Sequence, residues 1–482
     1  MIDLRPVGYV IGLLVAVLGA MMLFPLALDL ASGSANWRAF AASAAVTGVA
    51  GSVLALACAN SLSRGLNLQQ VFLLTAGTWI VLPVFGAVPL ILGAPDLGYT
   101  DALFETVSGM TTTGTTILTG IDALPLGTNL WRGILQWLGG LGIVIVAMIF
   151  LPVMKVGGMQ FFRSEGFDTL GKVLPRALDI SSALIQIYIV LTLACALVYF
   201  ALGMSGFDAV MHALTTVSTG GFSNYDASFG RFQGTAEYAA VVFMVLASLP
   251  FIRFIQLAQG DLRPLWRDVQ VRAYLRWIGY ATAAVMVYEL AVARMRPEQT
   301  FRESLFNIVS TFSGTGYSSV DLSAWGPFAL VVLIAVGLIG GCTSSTGCSV
   351  KVFRYLILFE AVKAQVARLT SPSAVVFVRY EGRRVERETI DSVIVFFTLF
   401  ILSFGILVVA LSLTGLGTRA SITAAWTSIA NVGPVFGVEV GPTGAVDGFP
   451  LAAKWLMMAG MIVGRLEMMA VYVLFLRSFW RA

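Results

Sequence analysis

Four times along this chain a short helical run ends in a small, hydroxyl-rich loop containing glycine. The segments are Asp101–Thr116, Phe207–Tyr225, Phe301–Ser319 and Thr418–Gly437. Their loop cores align as Thr112-Thr113-Gly114-Thr115, Thr219-Gly220-Gly221-Phe222, Gly314-Thr315-Gly316-Tyr317 and Asn431-Val432-Gly433-Pro434. The third place is glycine in all four, at intervals of 107, 95 and 117 residues. A fourfold internal repeat implies one supersecondary unit used four times around a shared axis. Glycine opens backbone angles unfavourable to residues with side chains, so neighbouring carbonyls can all face that axis. Threonine adds a hydroxyl as a further oxygen.

Composition places these loops in a bilayer. Hydrophobic residues make up 58% of the 482 and charged residues 12%, where a soluble domain carries about 25% charged residues. Ten apolar spans follow: Val7–Leu30, Phe40–Leu62, Val71–Leu92, Leu130–Met154, Ala183–Leu202, Ala239–Leu257, Tyr274–Ala293, Phe328–Cys342, Ile390–Leu413 and Leu451–Leu476. Most approach the roughly 20 residues that a spanning helix needs. The first is too long for a signal-peptide core and reads as a retained helix. Cys58, Cys195, Cys342 and Cys348 sit in apolar or loop contexts that give no disulfide framework, and the lone His212 leaves no zinc site.

The predicted fold is an all-α polytopic membrane protein with four pseudo-symmetric helix–pore-helix–loop–helix repeats around a central pore, plus two extra N-terminal helices. The divisions are 1–65 for the extension, then 66–155, 156–260, 261–368 and 369–482 for the repeats. In the first repeat, Val71–Leu92 enters, Thr100–Met110 dips in, Thr111–Thr116 climbs back and Leu130–Met154 returns. Non-helical backbone is tolerated at membrane depth only where protein buries it or water reaches it. A descending half-helix points its partially negative C-terminal end inward, which favours a cation. A ring of backbone carbonyls in that place replaces the hydration shell of a potassium ion. The expected ligands are Thr112, Thr113, Gly114, Thr219, Gly220, Gly221, Gly314, Thr315, Gly316, Asn431, Val432 and Gly433.

With the N-terminus in the cytoplasm, 21 of the 30 Lys and Arg residues fall inside, and all four loops open outward. This asymmetry accounts for the net charge of +4 without a nucleic-acid partner. Twelve acids against eight bases on the outer side imply a negative vestibule that concentrates cations. The chain has no Walker A sequence, no nucleotide-binding glycine motif after a strand and no HExxH, so nothing points to an enzyme.

Beyond the loops, three further segments carry a resemblance: Gln136-Trp137-Leu138-Gly139-Gly140-Leu141-Gly142, Gly340–Val352, and Gly464-Arg465-Leu466-Glu467. Together they resemble the Trk-type potassium uptake subunits of bacteria (TrkH/TrkG), in the superfamily that includes KtrB and plant HKT proteins. The two extra N-terminal spans are similar to the pair that Trk-type subunits add. The resemblance implies a homodimer in the bacterial inner (plasma) membrane, one pore per protomer, with potassium as the permeating ion and no covalent cofactor. It also implies a cytoplasmic ring-forming regulator of the TrkA type, which would bind the nucleotide in place of this chain.

Two gate elements are expected on the same footing. The run Gly340-Gly341-Cys342-Thr343-Ser344-Ser345-Thr346-Gly347-Cys348-Ser349 breaks an apolar span. By resemblance it is an intramembrane loop blocking the pore, with Gly340, Gly341, Thr343, Ser344, Ser345, Thr346 and Gly347 as its working residues. The alternative is a packed kink. Few apolar contacts are expected to hold it, and Gly347-Cys348-Ser349 departs from the glycine run of related proteins. Arg465, centred in Leu451–Leu476, is costly there unless it meets water or a partner. Resemblance aims it into the pore, while a salt bridge to another helix is the competing reading. Glu467, about 200° further round a continuous helix, is expected on a different face. The competing functions are a sodium- or proton-coupled symporter of the same fold and a sensor with a degenerate pore.

Overall fold

The computed structural model describes residues 3–61, 66–149, 177–292, 296–373 and 375–481. Among them, seven helical spans are long and apolar enough to cross a membrane: Arg5–Ala31, Trp37–Cys58, Leu68–Leu92, Leu126–Val146, Ser181–Ala201, Leu322–Ile339 and Arg387–Leu413. Two more pass only as bent pairs. Thr235–Ser248 meets Phe251–Ala258 at 95°, and Leu451–Arg465 meets Met469–Phe475 at 105°. The tenth predicted span is the 24-residue helix Val269–Val292, which Arg272, Arg276 and Glu289 make too polar for that set. The end of the fourth predicted span and the start of the second repeat, 156–176, lie outside the described residues.

Half-helices stand immediately before the four loops, at Tyr99–Met110, Gly206–Val217, Pro297–Ser313 and Thr418–Ala430. Their starts follow ordinary capping chemistry. Ser205 accepts the Asp208 N–H, and Pro297 fills the first turn of its helix. Asp101, Asp208 and Glu298 add first-turn acids that oppose the helix dipole. Their later turns are encased by protein. Every residue from Ala102 to Met110 is buried, as is every one from Phe306 to Ser313.

The N-terminal helices Arg5–Met21 and Trp37–Cys58 touch through small residues. A β-carbon on Gly12 would run into the Ala55 backbone, and one on Gly51 into that of Ala16. Asp29 ties this pair to the first repeat. Fully buried, it accepts the Gly127 N–H and the Asn36 side-chain amide, each at 2.7 Å.

The expectation of one break, at 340–349, is too small by two. The helix through 235–258 also breaks at Leu249-Pro250, and the last helix breaks after Arg465. The first two breaks satisfy each other's freed backbone groups. The Cys342 N–H donates to the Ser248 carbonyl at 2.9 Å, Thr346 to Ala247 at 3.2 Å, and Phe251 to Ser344 at 2.9 Å. A two-residue hairpin, Arg379–Tyr380 with Arg383–Arg384, interrupts the helical pattern beyond Thr370. Its turn residue Glu381 accepts the Val269 N–H and pairs with Arg253. Arg253 in turn holds Asp268, whose carboxyl burial pushes above its ordinary range.

Candidate functional site

The four loops share one backbone alternation. Their first places, Thr112, Thr219, Gly314 and Asn431, have φ of 52°, 52°, 81° and 52°. Their third places, Gly114, Gly221, Gly316 and Gly433, have φ of 87°, 79°, 80° and 111°. In an extended chain of one hand, successive carbonyls alternate in direction; left-handed residues at every other place turn them to one side. Three of the first places spend this conformation on a residue with a side chain, which costs about 1–2 kcal/mol each. Such residues persist where their surroundings over-determine them.

Hydrogen bonds supply that constraint. The second-place N–H of each loop donates to the carbonyl five residues earlier: Thr113 to Ser108, Gly220 to Thr215, Thr315 to Ser310 and Val432 to Thr427. The accepting residue bears a hydroxyl in all four repeats. The Ser108 and Ser310 hydroxyls reach forward to the Thr115 and Tyr317 carbonyls, and that of Thr427 accepts the Gly433 N–H. The aligned sequences show this hydroxyl six places before each glycine, a signal the motif reading did not use.

The loops close on one another in cyclic order. A β-carbon on Gly114 would strike the Gly220 carbonyl oxygen, one on Gly221 that of Thr315, and one on Gly316 that of Val432. On Gly433 it would lie 2.9 Å from the Thr113 oxygen, completing the circuit. All four glycines border one cavity of about 590 Å³ on the side where the loops ascend. The threonine hydroxyls turn to protein neighbours. Thr113 accepts from the Asn431 side-chain amide at 2.8 Å, and Thr315 meets Ser313 at 2.7 Å.

Beyond the loops, polar side chains on the half-helices pin the ascending chain. Glu105 accepts from the Thr116 hydroxyl and the Ile117 N–H, His212 meets the Ser223 hydroxyl, and Asn307 holds Ser319. Glu105 also forms a buried ion pair with Arg132 at 2.8 Å. The expected outer acids therefore divide. Asp226 and Asp321 line the cavity, whereas Glu105, Glu237 and Glu303 are buried, and Asp101 is paired with Lys454.

Below the first places lies the irregular segment 340–351, and here the structure differs from a loosely held loop. Thr343, Ser345 and Thr346 are buried. Thr343 donates through its N–H and hydroxyl to Gln270 at 3.0 and 2.8 Å, and the Thr346 hydroxyl to the Ala247 carbonyl at 3.0 Å. Hydrogen bonds hold the segment, and Cys342 and Val350 are packed into the apolar core. Cys348 is the part nearest the loops. Its sulfur lies 3.6 Å from the Thr112 hydroxyl, and its N–H would be 3.5 Å from a β-carbon on Gly314.

Arg465 ends a helix at the 105° break, so it is not centred in a continuous span. Its guanidinium donates to the Cys348 sulfur, to the Gly139 carbonyl at 3.2 Å and to the Thr346 carbonyl at 3.5 Å. Its neighbour explains the room for it. A β-carbon on Gly464 would strike the Ile429 carbonyl, as one on Gly139 would strike that of Met110. Arg465 thus occupies the place that Gly140 has in the first repeat. The break also changes the geometry expected of Glu467. With φ of 60°, Glu467 leaves the helix and ion-pairs with Arg354 and with Lys351, the latter at 3.5 Å.

These features coincide with known proteins. The model of the TrkH family, described as cation transport protein, matches residues 37–481. The Trk system potassium uptake protein TrkI of Halomonas elongata is 38% identical over 99% of this chain and 97% of its own. Escherichia coli K12 TrkH is 34% identical over 99% of both chains. The crystal structure of the potassium transporter TrkH from Vibrio parahaemolyticus superposes with a TM-score of 0.90 at 30% identity, covering both chains completely. This chain is an integral membrane protein that belongs to the TrkH family of cation transport proteins, a transport family and not an enzyme family.

Proposed function

We propose that this chain is the potassium-conducting membrane subunit of a Trk-type uptake system in a bacterial inner membrane, its N-terminus cytoplasmic. The four loops form the selectivity filter, with carbonyls of Thr112–Gly114, Thr219–Gly221, Gly314–Gly316 and Asn431–Gly433 facing a shared axis. One observation carries this reading: the cyclic circuit of glycine-to-carbonyl approaches, in which each loop's third place needs the absence of a side chain beside the next loop. The relatives, Trk system potassium uptake proteins, supply the ion.

The segment 340–349 and Arg465 act as the gate. Cys348 abuts the lower end of two loops, and Arg465 places a cation beside it. A positive charge under a cation filter raises the barrier to passage. The chain works as a homodimer with a cytoplasmic nucleotide-binding regulator, and force on the helix Val352–Thr370 reaches the gate through Lys351. The test is flux in proteoliposomes with potassium, rubidium and sodium side by side. Potassium and rubidium passing well ahead of sodium, without a sodium or proton gradient, is expected. Uptake that requires either gradient would favour a coupled symporter.

A further inference from the structure

The helix Val269–Val292 carries a continuous exposed stripe at helical spacing, through Arg272, Leu275, Arg276, Tyr280 and Val287. Its distal part is apolar, with Tyr280 69% and Val287 68% exposed, which in a membrane protein is a lipid-facing surface. Arg276 precedes Val287 by about 16 Å along the axis, at 1.5 Å per residue, and Arg272 lies one turn further. The charges therefore sit where the face leaves hydrocarbon. Just before them, the short helix Arg263–Arg267 exposes Trp266 (64%) beside Arg263 and Arg267, and Leu262 precedes it. Tryptophan is enriched at that membrane level.

None of these four arginines forms an ion pair among the described residues. Of the nearby carboxylates, Asp268 is held by Arg253 at 2.8 Å and Glu381 by the same arginine at 3.8 Å, while Asp261 accepts the Arg263 backbone N–H at 3.0 Å. Arg272 donates to the Arg267 carbonyl at 3.3 Å and Arg276 to the Arg272 carbonyl at 3.2 Å. One bond orients each guanidinium and leaves most of its five donors for an anion. Arg267 and Arg272 also border an open cavity of about 520 Å³.

We propose that Arg263, Arg267, Arg272 and Arg276 bind the phosphate of an anionic glycerophospholipid, with Trp266 set into the interface beside it. An acidic protein surface would also attract these charges. It would not cover the apolar stripe that continues from them along the same helix face, whereas a lipid offers phosphate and acyl chain in that order.

The test compares thermal unfolding of the full chain in phosphatidylcholine vesicles with and without phosphatidylglycerol. Phosphatidylglycerol is expected to raise the wild-type melting temperature, and Arg272→Gln/Arg276→Gln to lose most of that rise. Arg263→Gln/Arg267→Gln, the second variant should the first not fold, is expected to lose it as well. Arg383→Gln/Arg384→Gln, on the exposed hairpin, removes equal charge and should keep it. A rise retained by both interface variants, a hairpin variant that loses as much, or a drop equal in both lipids would overturn the proposal. Inorganic phosphate reproducing the rise in phosphatidylcholine would overturn the lipid as occupant. Unchanged lipid response with lost binding of a cytoplasmic protein would assign the arginines to that partner.

Discussion

Gln136 holds the second loop by both ends of its side-chain amide: its nitrogen donates to the Gly220 carbonyl at 2.5 Å, and its oxygen accepts the Phe222 N–H at 3.0 Å. This explains a difference between repeats. A β-carbon on Gly220 would strike Gln136 itself, so the second loop reads Gly-Gly where the first reads Thr-Gly.

Gln136→Leu would leave the buried Phe222 N–H without its acceptor, at about 1–3 kcal/mol, and release the Gly220 carbonyl from the side chain that orients it. The local expectation is a distorted second loop in a folded protein. The potassium-to-sodium flux ratio should fall while the gel-filtration profile holds. A ratio equal to wild type would show that Gly220 keeps its geometry without Gln136.

Gly316 tests the circuit most directly. It needs φ of 80° and has the Val432 carbonyl where a β-carbon would stand. Gly316→Ser should therefore weaken selectivity severely, and Gly114→Ser and Gly221→Ser should do the same. Gly433→Ser meets its nearest oxygen at 2.9 Å, a looser approach, but its φ of 111° strains any side chain, so it is expected to weaken selectivity as well. Selectivity ratios under matched potassium and sodium loads check this, and four unchanged ratios would sink the shared-axis reading.

The half-helices and loops were legible in the sequence because their chemistry is local. A run of helix length, a glycine at one place and hydroxyls around it recur four times, and the hydroxyl at Ser108, Thr215, Ser310 and Thr427 could have been added to that pattern. The break at 340–349 was legible from its glycines and hydroxyls, whereas the other two were not. Hydropathy measures transfer to lipid, and Leu451–Leu476 stays apolar through its break. From Arg465 to Tyr472 no residue is glycine or proline, so the positive φ of 60° and 32° at Glu467 and Met468 comes from tertiary partners. Pro250 was the one local sign of the break at 249–250. Nor does spacing reveal that Arg354, 113 residues away, pairs with Glu467.

Arg465→Ala removes the cation that touches Cys348 and the Thr346 and Gly139 carbonyls. If it forms part of the barrier, basal potassium flux should rise in protein purified without any cytoplasmic partner. Arg465→Lys keeps the charge but not the planar fork, so it should give intermediate flux. A purely structural role predicts a lower melting temperature with no gain in flux. Measuring both on the same preparations separates the two.

Glu467 carries the last prediction. It is buried and is the carboxylate facing both Lys351 and Arg354, which are themselves buried. Glu467→Gln would take from Lys351 and Arg354 the carboxylate that they share. Breaking a buried pair from one side costs about 3–5 kcal/mol, because the remaining charge is uncompensated. The melting temperature in detergent should drop by several degrees. Lys351→Met in the same background removes one stranded charge and should recover part of the loss, though Arg354 remains. If the double variant melts no higher than Glu467→Gln alone, Lys351 contributes no charge to the cluster, and the contact that matters is Arg354 with Glu467.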